Sequence, residues 1–341
     1  MGRGGVEPLI RADGVSRAFH VGGGWFGRNR DLVAVDAVSL AILSGTTVAL
    51  VGESGSGKST LGRLMLGLLP PSAGTIQYRG QDIGRLQGAA WREFRREVQV
   101  VFQDSGAAFN ARRTIGASLG VPLRYNLQVP GKHVRERAAA LLDRVGLDPA
   151  VYLDRYPHEL SGGQRQRAGV ARAMASEPRF VVADEPVSAL DVSVRAQVLR
   201  LMRDLQRASG ELAYLFITHD LSVVRAVADE VQVMYLGAIV ERGPVWPSFR
   251  SPGHPYTRAL LAATPVPDPT RKPDAVVASD GLRGEIPSAT NVPPGCRFHT
   301  RCPLVQEICR HTPPPWVGFD DGVESACHFA AEVRRLAPVR G

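Results

Sequence analysis

The chain has 341 residues, of which 44% are hydrophobic and 22% charged; this excludes a wholly disordered protein, and at roughly 100–200 residues per domain the length predicts about two domains. No run approaches the roughly 18 consecutive apolar residues of a membrane helix, and Met1–Val6 lacks the apolar core of a secretion signal, so we expect a cytosolic protein that reaches a membrane only through a partner. The net charge of +8 comes from basic residues spread along the chain, only three of them lysines, and gives little support to nucleic-acid binding.

Short apolar runs alternate with longer segments of helical spacing. The runs predict strands at Thr47–Val51, Val98–Phe102, Phe180–Ala183 and Leu212–Ile217. Helical spacing predicts helices at Leu61–Leu69, Val134–Val145, Arg167–Met174 and Val192–Ala208. This alternation predicts an α/β domain with a largely parallel core sheet.

Proline content marks a boundary near Gly243-Pro244. Nine prolines precede it, and sixteen lie in the last 98 residues. We therefore predict one domain over residues 1–243 and a smaller, Cys- and Pro-rich domain over 244–341. In the second domain one short helix is expected near Tyr256–Ala263. The rest is expected to be irregular and to need a cross-link that stabilises it.

A glycine-rich segment, Gly52–Thr60, fits the phosphate-binding loop pattern between a predicted strand and a predicted helix. Its glycines let backbone N–H groups turn toward phosphates, and the helix N-terminus adds a positive dipole end. Lys58 can reach the β- and γ-phosphates, and the Ser59 hydroxyl can bind Mg²⁺. The predicted nucleotide contacts in this loop are Gly52, Ser54, Gly55, Gly57, Lys58, Ser59 and Thr60.

Two carboxylates, Asp184 and Glu185, follow the apolar run Phe180–Ala183. The first can hold Mg²⁺ at the end of a core strand, and the second can polarise an attacking water. Such a pair more often only caps a strand or helix, so it indicates catalysis because the phosphate-binding loop lies upstream.

Three further elements follow the same order along the chain. Leu160–Gln166 precedes a helical stretch; Ser161 could simply cap that helix, or the segment could bind a second nucleotide. Gln103 and His219 each end a strand-like run. A single polar residue at such a position usually only has its hydrogen bonds satisfied at the end of the strand. As a set and in this order, these elements indicate function.

At these positions the sequence resembles the ATP-binding-cassette ATPases over residues 9–243. The matching segments are Gly52–Thr60 (Walker A), Gln103 (Q-loop), Leu160–Gln164 (signature), Phe180–Glu185 (Walker B), Ser188–Asp191 (D-loop), His219 (switch histidine) and Phe19 (adenine stacking). The resemblance implies a RecA-like core with antiparallel β and α-helical subdomains.

The resemblance also implies a mechanism in which two subunits enclose two ATP molecules with Mg²⁺. Glu185 is the implied general base, Gln103 contacts Mg²⁺ and water, His219 contacts the γ-phosphate, and Ser59, Gln103 and Asp184 hold Mg²⁺. The implied contacts to the partner's nucleotide are Ser161, Gly162, Gly163, Gln164 and Asp191.

A finer resemblance is to the ATP-binding subunits of bacterial oligopeptide and dipeptide importers, the second or F-type subunit of the ATPase pair. It rests on Arg155–Glu159, Ala183–Ser193, Lys58–Arg63, His254–Leu261, Arg283–Ser288 and Pro293–Pro303. It implies a second ATPase subunit, two transmembrane permease subunits, an extracytoplasmic peptide-binding protein and a peripheral place at the cytoplasmic face of the membrane. Ser105 and Ala111 replace prolines that are usual in this subfamily, in the stretch leading to the permease-docking region.

All four cysteines lie between Cys296 and Cys327, at Cys296, Cys302, Cys309 and Cys327, without a Cys-x-x-Cys pair. Ordinary zinc-finger spacing is therefore absent. Four thiolates in a small domain can hold a [4Fe–4S] cluster, and the subfamily resemblance supports that prediction. Zinc is the runner-up because His299, His311 and His328 lie nearby, and free thiols are third.

A non-transport cassette ATPase acting on nucleic acid or ribosomes is the alternative function. Chromosome and repair members usually interrupt the cassette with a long coiled coil, and translation members usually carry two cassettes. The single uninterrupted cassette predicted here favours ATP-driven peptide import.

Overall fold

The computed structural model describes residues 7–21, 30–103, 106, 108–264 and 285–336. Ser105, and Arg283 at the start of one subfamily motif, lie outside these residues. The strands are β1 (Ile10–Val21), β2 (Arg30–Ile42), β3 (Thr47–Val51), β4 (Ala73–Tyr78), β5 (Gln81–Asp82), β6 (Val98–Val101), β7 (Phe180–Asp184), β8 (Ala213–Thr218), β9 (Glu230–Tyr235), β10 (Ala238–Pro244), β11 (Trp316–Gly318) and β12 (Glu324–Ala326).

The helices alternate with these strands through most of the chain. They are α1 (Lys58–Met65), α2 (Gly88–Glu97), α3 (Ile115–Tyr125), α4 (Gly131–Arg144), α5 (Pro149–Tyr152), α6 (Gly162–Met174), α7 (Val192–Ser209), α8 (Leu221–Val227), α9 (Val245–Arg250), α10 (Pro255–Ala262), α11 (Glu307–His311) and α12 (Ala330–Arg335). Short 3-10 turns lie at Ile83–Arg85 and Pro157–Glu159. Within the part of the chain that the structure describes, no helix is long and apolar enough to cross a membrane.

Over the residues that the structure describes, the main sheet has eight strands in the order β11-β12-β10-β9-β3-β8-β7-β6. Its centre, from β9 to β6, is parallel, which confirms the predicted α/β core. All residues of β3 and β8 are buried, as expected for apolar runs covered on both faces. Parallel pairing brings the carboxyl ends of β3, β6, β7 and β8 to one edge, where the predicted site residues follow the strands.

A second, antiparallel sheet has the order β2-β1-β4-β5. Its apolar face packs on α1 and on the core strands, with Ile10, Ile42 and Leu61 fully buried in one cluster. The predicted antiparallel β subdomain is therefore present. It covers α1, the helix at the C-terminal end of the phosphate-binding loop.

The segment from α3 to α6 forms a helical layer beside the main sheet. α3 and α4 pack through Leu119, Val134 and Leu142, which are buried together with Ala168 of α6. α4 begins three residues before the predicted helix, and α6 begins at Gly162 instead of Arg167, because the polar first turns carry no apolar periodicity.

The expectation of an otherwise irregular C-terminal region is wrong for the described residues. Besides α10, the region contains α9, α11, α12 and the β11–β12 hairpin, and β12 pairs with β10 to extend the main sheet. The aromatic rings of Tyr256 and Phe298 pack against Tyr235 at the end of β9. The boundary at 243/244 stays a prediction, but the chain on its two sides shares one sheet.

Candidate active site

The loop between β3 and α1 is shaped by close backbone approaches. A Cβ at Gly52 would lie 2.1 Å from the carbonyl oxygen of Met234, and one at Gly57 would lie 2.1 Å from that of Ala34. Gly57 also has φ +106 at the start of α1, a conformation that other residues rarely adopt. The glycine spacing is therefore required by the surrounding backbone.

The first turn of α1 has no side-chain cap and no acidic residue. Its N–H groups are therefore available to an anion, and the helix dipole adds to that preference. Ser54 and Gly55 are exposed at the loop tip, and Thr60 is half-buried behind them. This geometry suits a bound phosphate, and the nucleotide contacts predicted for the loop stay predictions.

Lys58 is almost fully buried, and its ammonium group is held inside the loop. Nζ donates hydrogen bonds to the carbonyl oxygens of Gly52 and Glu53, both at 2.8 Å. Burial lowers the pKa of Lys58, while the carboxylates of Glu185, Asp184 and Glu53 oppose that shift. The Lys58 ammonium therefore lies where it can pair with the negative charge of a bound phosphate.

Two oxygen groups suited to a magnesium ion meet between α1 and β7. The Ser59 hydroxyl donates to Oδ1 of Asp184 at 3.1 Å. Burial raises the pKa of Asp184 above its ordinary value. Hydroxyl and carboxylate oxygens are ligands that Mg²⁺ prefers, so these residues fit the predicted ion.

Glu185 lies at the centre of a polar cluster at the sheet edge. Nε2 of Gln103 donates to Glu185 Oε2 at 3.1 Å, and Nδ1 of His219 lies 3.1 Å from Glu185 Oε1. Glu185 has φ +45, an uncommon conformation for a residue with a side chain. Three residues separated widely in the sequence are therefore brought together, while their contacts to Mg²⁺, water and phosphate stay predictions.

The signature residues begin α6. Ser161 accepts a hydrogen bond from the Gln164 N–H at 3.3 Å, and Gln164 Oε1 accepts one from the Ser161 N–H at 2.9 Å. This capping box confirms the structural interpretation of Ser161. Ser161 and Gly162 remain exposed, so capping leaves this helix start accessible to another molecule.

Asp191 and Phe19 are placed on separate elements. Asp191 is exposed and immediately precedes α7. Phe19 lies within β1 under the guanidinium of Arg17, whose Cζ is 5.0 Å from the ring centroid. Their nucleotide contacts, like that of Gly163 in α6, stay predictions.

The four cysteines line one pocket, together with His254 and Phe298. The Cys296 N–H donates to the Cys309 carbonyl oxygen at 2.8 Å. Burial and the neighbouring thiols raise the pKa of Cys302 and of Cys327 to about 12. A positive ion or cluster is needed to hold these thiols as thiolates.

Metal-site geometry does not support the iron–sulfur prediction directly. Among residues 7–21, 30–103, 106, 108–264 and 285–336, no group of three or more His, Cys, Asp or Glu is arranged to hold a metal ion. His311 pairs with Glu307 at 2.8 Å, and Nε2 of His328 lies 2.9 Å from the Thr312 carbonyl oxygen, so two of the histidines that kept zinc as an alternative have other partners.

One buried polar atom at the cysteine pocket lacks a partner. His254 is 1% exposed and its Nδ1 accepts from the Tyr256 N–H at 3.0 Å. Its Nε2 is buried without a hydrogen-bond partner among the residues that the structure describes, and burial lowers the pKa of His254 to about 3. The neutral ring with Nδ1 as acceptor carries its proton on Nε2, a donor that fits a sulfur-rich group in the pocket.

Sequence reasoning missed two residues that contact the phosphate-binding loop from the C-terminal region. Arg301 pairs with Glu53 of the loop, and the Tyr256 hydroxyl accepts from the Glu53 N–H. Arg301 lies inside a quoted subfamily motif and Tyr256 inside another. The motifs marked both residues, but nothing local indicated their partner.

Comparison with known families agrees with this geometry. Residues 35–188 match the ABC transporter family model, and residues 240–309 match that of the oligopeptide/dipeptide transporter C-terminal region. The class of protein is therefore an ATP-binding-cassette ATPase.

Two relatives show to which group of ATP-binding-cassette ATPases the chain is similar. The dipeptide transport ATP-binding protein DppF of Haemophilus influenzae is 46% identical over 320 residues, which cover 94% of this chain and 96% of the relative. The oligopeptide transport ATP-binding protein OppF of Salmonella typhimurium is 46% identical over 292 residues, covering 85% and 86%. The chain belongs to the family of ATP-binding subunits of peptide ABC transporters.

Solved structures share the fold. CbiO1 of Clostridium perfringens, part of an ABC transporter complex, has a TM-score of 0.60 at 25% identity, covering 71% of this chain and 90% of that one. The ATP-binding cassette MJ0796, a dimer in a post-hydrolysis state bound to ADP and phosphate, has a TM-score of 0.61 at 26% identity, covering 70% and 99%.

Proposed function

We propose that Glu185 is the general base for ATP hydrolysis at the edge of the main sheet. The position of its carboxylate supports this role: the group lies between Gln103 and His219, beside the Ser59–Asp184 pair. A carboxylate fixed by two neighbours can accept a proton from an attacking water. His219 contacts the γ-phosphate once its imidazole is released from Glu185.

The loop residues bind and orient the triphosphate. Lys58 exchanges its contacts to loop carbonyl oxygens for phosphate oxygens, and the N–H groups of Gly55 and Gly57 face the same anion. Ser59, Asp184 and Gln103 would hold Mg²⁺, which neutralises charge on the phosphates when bound. Positioning and charge neutralisation supply most of the catalysis in phosphoryl transfer.

The start of α6, with Ser161 and Gly162 exposed and Gly163 and Gln164 partly buried, contacts the nucleotide of a partner ATPase in this proposal, together with Asp191. A helix N-terminus outside its own subunit's phosphate loop supports this role. MJ0796, which has the same fold, forms a dimer. The pair here is a heterodimer of two ATPase subunits.

The chain energises import of oligopeptides or dipeptides. Its partners are two transmembrane permease subunits and an extracytoplasmic peptide-binding protein, and nucleic acid is not among them. The protein lies peripherally at the cytoplasmic face of the membrane. Similarity to peptide transport proteins along 94% and 85% of the chain supports this assignment.

Reconstitution tests this function. The chain is co-expressed with the proposed permease subunits and second ATPase subunit, the complex is placed in proteoliposomes, and ATP hydrolysis and uptake of labelled di- and oligopeptides are measured. We expect both for wild type and for Lys132→Ala, whose residue lies at the exposed start of α4. Lys58→Ala should abolish both. Co-purification with nucleic acid or ribosomes instead of a membrane complex would contradict the proposal.

We also propose a structural [4Fe–4S] cluster held by Cys296, Cys302, Cys309 and Cys327. Their shared pocket supports this assignment, as does the His254 Nε2–H, which has no partner in the described part of the chain, because the sulfurs of such clusters accept hydrogen bonds from the protein. The cluster would tie α11 and the end of the β11–β12 hairpin to the loop that carries Cys296 and Cys302. It would contribute folding free energy, with no part in phosphoryl transfer.

A further inference from the structure

Glu53, the second residue of the phosphate-binding loop, is held from the C-terminal region at two points. Arg301 Nη1 and Nη2 donate to its carboxylate at 2.6 and 3.1 Å. The Tyr256 hydroxyl accepts from its backbone N–H at 2.8 Å. The side chain and the backbone N–H of Glu53 are therefore both held by residues more than 200 positions away in the sequence.

The Arg301–Glu53 pair is shielded from solvent. The Arg301 side chain is 4% exposed and that of Glu53 is 20% exposed. The guanidinium also lies over the ring of Tyr235, with Cζ 5.9 Å from the centroid. A bidentate pair in this setting is strong and is screened little by salt.

The same residue contacts the phosphate-binding lysine. The Glu53 carbonyl oxygen accepts from Lys58 Nζ at 2.8 Å. A movement of Glu53 therefore changes the position of the Lys58 ammonium. In addition, an unpaired Glu53 carboxylate would place a negative charge beside the phosphate site, where it opposes the triphosphate.

A second brace supports the far side of the loop. Arg297 donates to Asp36 and to the carbonyl oxygen of Leu236. The next residue, Gly237, donates its N–H to the Ser56 carbonyl oxygen at 2.9 Å. The C-terminal region thus contacts the loop directly at Glu53 and indirectly at Ser56.

We propose that Arg301 and Tyr256 are positioning residues of the ATP site, which fix the loop through Glu53 and neutralise its carboxylate. The C-terminal region is then part of the nucleotide site and sets its affinity for ATP. The inference rests on the proposed role of the loop in binding ATP. It extends that role, because part of the affinity for ATP is assigned to residues outside the ATPase motifs.

Nucleotide titrations of the full chain test the proposal. The Kd for ATP with Mg²⁺ is measured for wild type, Arg301→Gln, Glu53→Gln and the double variant. Arg301→Gln should weaken ATP binding by about five- to tenfold, the low end of coupling between sites. Glu53→Gln should weaken binding less than Arg301→Gln does, because its amide oxygen can still accept from the guanidinium while the charge is gone. The double variant should recover part of the affinity that Arg301→Gln loses.

The recovery separates charge neutralisation from a merely structural role. If Arg301 only stabilised the fold, the double variant would bind no better than Arg301→Gln. Arg310→Gln, at an exposed pair of the same region, is the matched control and should bind like wild type. Tyr256→Phe should raise the KM for ATP in the assembled complex more than it lowers kcat.

Four outcomes would contradict the proposal or the role of the loop on which it rests. Folded Arg301→Gln that binds ATP within about twofold of wild type overturns the proposal, as does additivity of the two substitutions. If Arg301→Gln does not fold, Arg301→Lys replaces it; the charge remains without the bidentate geometry, and a Kd equal to wild type contradicts positioning. Lys58→Ala that still binds ATP would instead overturn the proposed role of the loop itself.

Discussion

The hydroxyl of Ser59 donates to Oδ1 of Asp184 at 3.1 Å, joining residues 125 positions apart. The pair joins the first turn of α1 to the end of β7, and so links the phosphate-binding loop to the strand that immediately precedes the proposed base, Glu185. Both groups are hard oxygen donors at the place where the nucleotide's magnesium is expected.

Asp184→Asn should weaken magnesium binding, because the variant loses the carboxylate charge while keeping the shape. The Mg²⁺ concentration for half-maximal ATP hydrolysis by the assembled complex should rise about 10–100-fold. Asp204→Asn, at an exposed position of α7, serves as the control. An unchanged magnesium dependence in Asp184→Asn would contradict the assignment.

Ser161→Arg should separate ATP binding from ATP hydrolysis. Ser161 is exposed at the start of α6, and the proposal places it against the partner's nucleotide. The isolated chain should therefore bind ATP with nearly normal affinity, while the complex should lose most of its hydrolysis. The isolated wild-type chain should hydrolyse ATP only weakly, and loss of ATP affinity in a folded Ser161→Arg chain would argue against a shared site.

Cys302→Ser should lower the metal content and loosen the C-terminal region. The chain is purified without oxygen, and iron, acid-labile sulfide and zinc are measured per chain. We expect iron and sulfide in wild type, with less of both and faster proteolysis of residues beyond 243 in the variant, while ATP binding persists. Stoichiometric zinc without sulfide, or an equally resistant variant, would contradict the structural cluster.

Glu241 should make stability fall as pH rises. It is fully buried in β10 and accepts from the N–H groups of Gly253 and His254, both at 2.9 Å. Burial raises its pKa from 4.5 to about 7, against the hydrogen bonds and Arg334. The folded chain therefore binds more protons than the unfolded chain between these values, and stability falls as pH rises through them and stays low above.

The size of that loss is about 3 kcal/mol, from the shift of the pKa. Urea unfolding of wild type and Glu241→Gln across this pH interval measures it as a difference between the two curves. Glu324→Gln, at an exposed pair with Arg242 on the neighbouring strand, is the control. A difference that does not change with pH would contradict the shift.

Local patterns predicted the phosphate-binding unit well. The β-branched run of β3 and the glycine spacing after it depend on neighbouring residues only, and β3 has the predicted bounds Thr47–Val51. The start of α1 was less predictable: it begins at Lys58 and not at Leu61, because Lys58-Ser-Thr60 is polar and shows no helical periodicity.

Long-range pairing could not be predicted from the sequence. β12 is short and polar, with Glu324 and Ser325, and it becomes a strand because Arg242 and Glu241 of β10 pair with it. The Arg301–Glu53 contact likewise spans 248 positions. No local signal indicates either, since both depend on how the C-terminal region folds back onto β9 and β10.

The rate of ATP hydrolysis by the Glu185→Gln complex tests the account most directly. The measurement uses an assembled complex whose partner ATPase is inactive, together with ATP binding to the same preparation. Because the amide keeps the shape of Glu185 but cannot accept the proton, hydrolysis should fall about 10²–10⁴-fold while ATP stays bound in a closed dimer. Hydrolysis within a few-fold of wild type would contradict the role of Glu185 as the base.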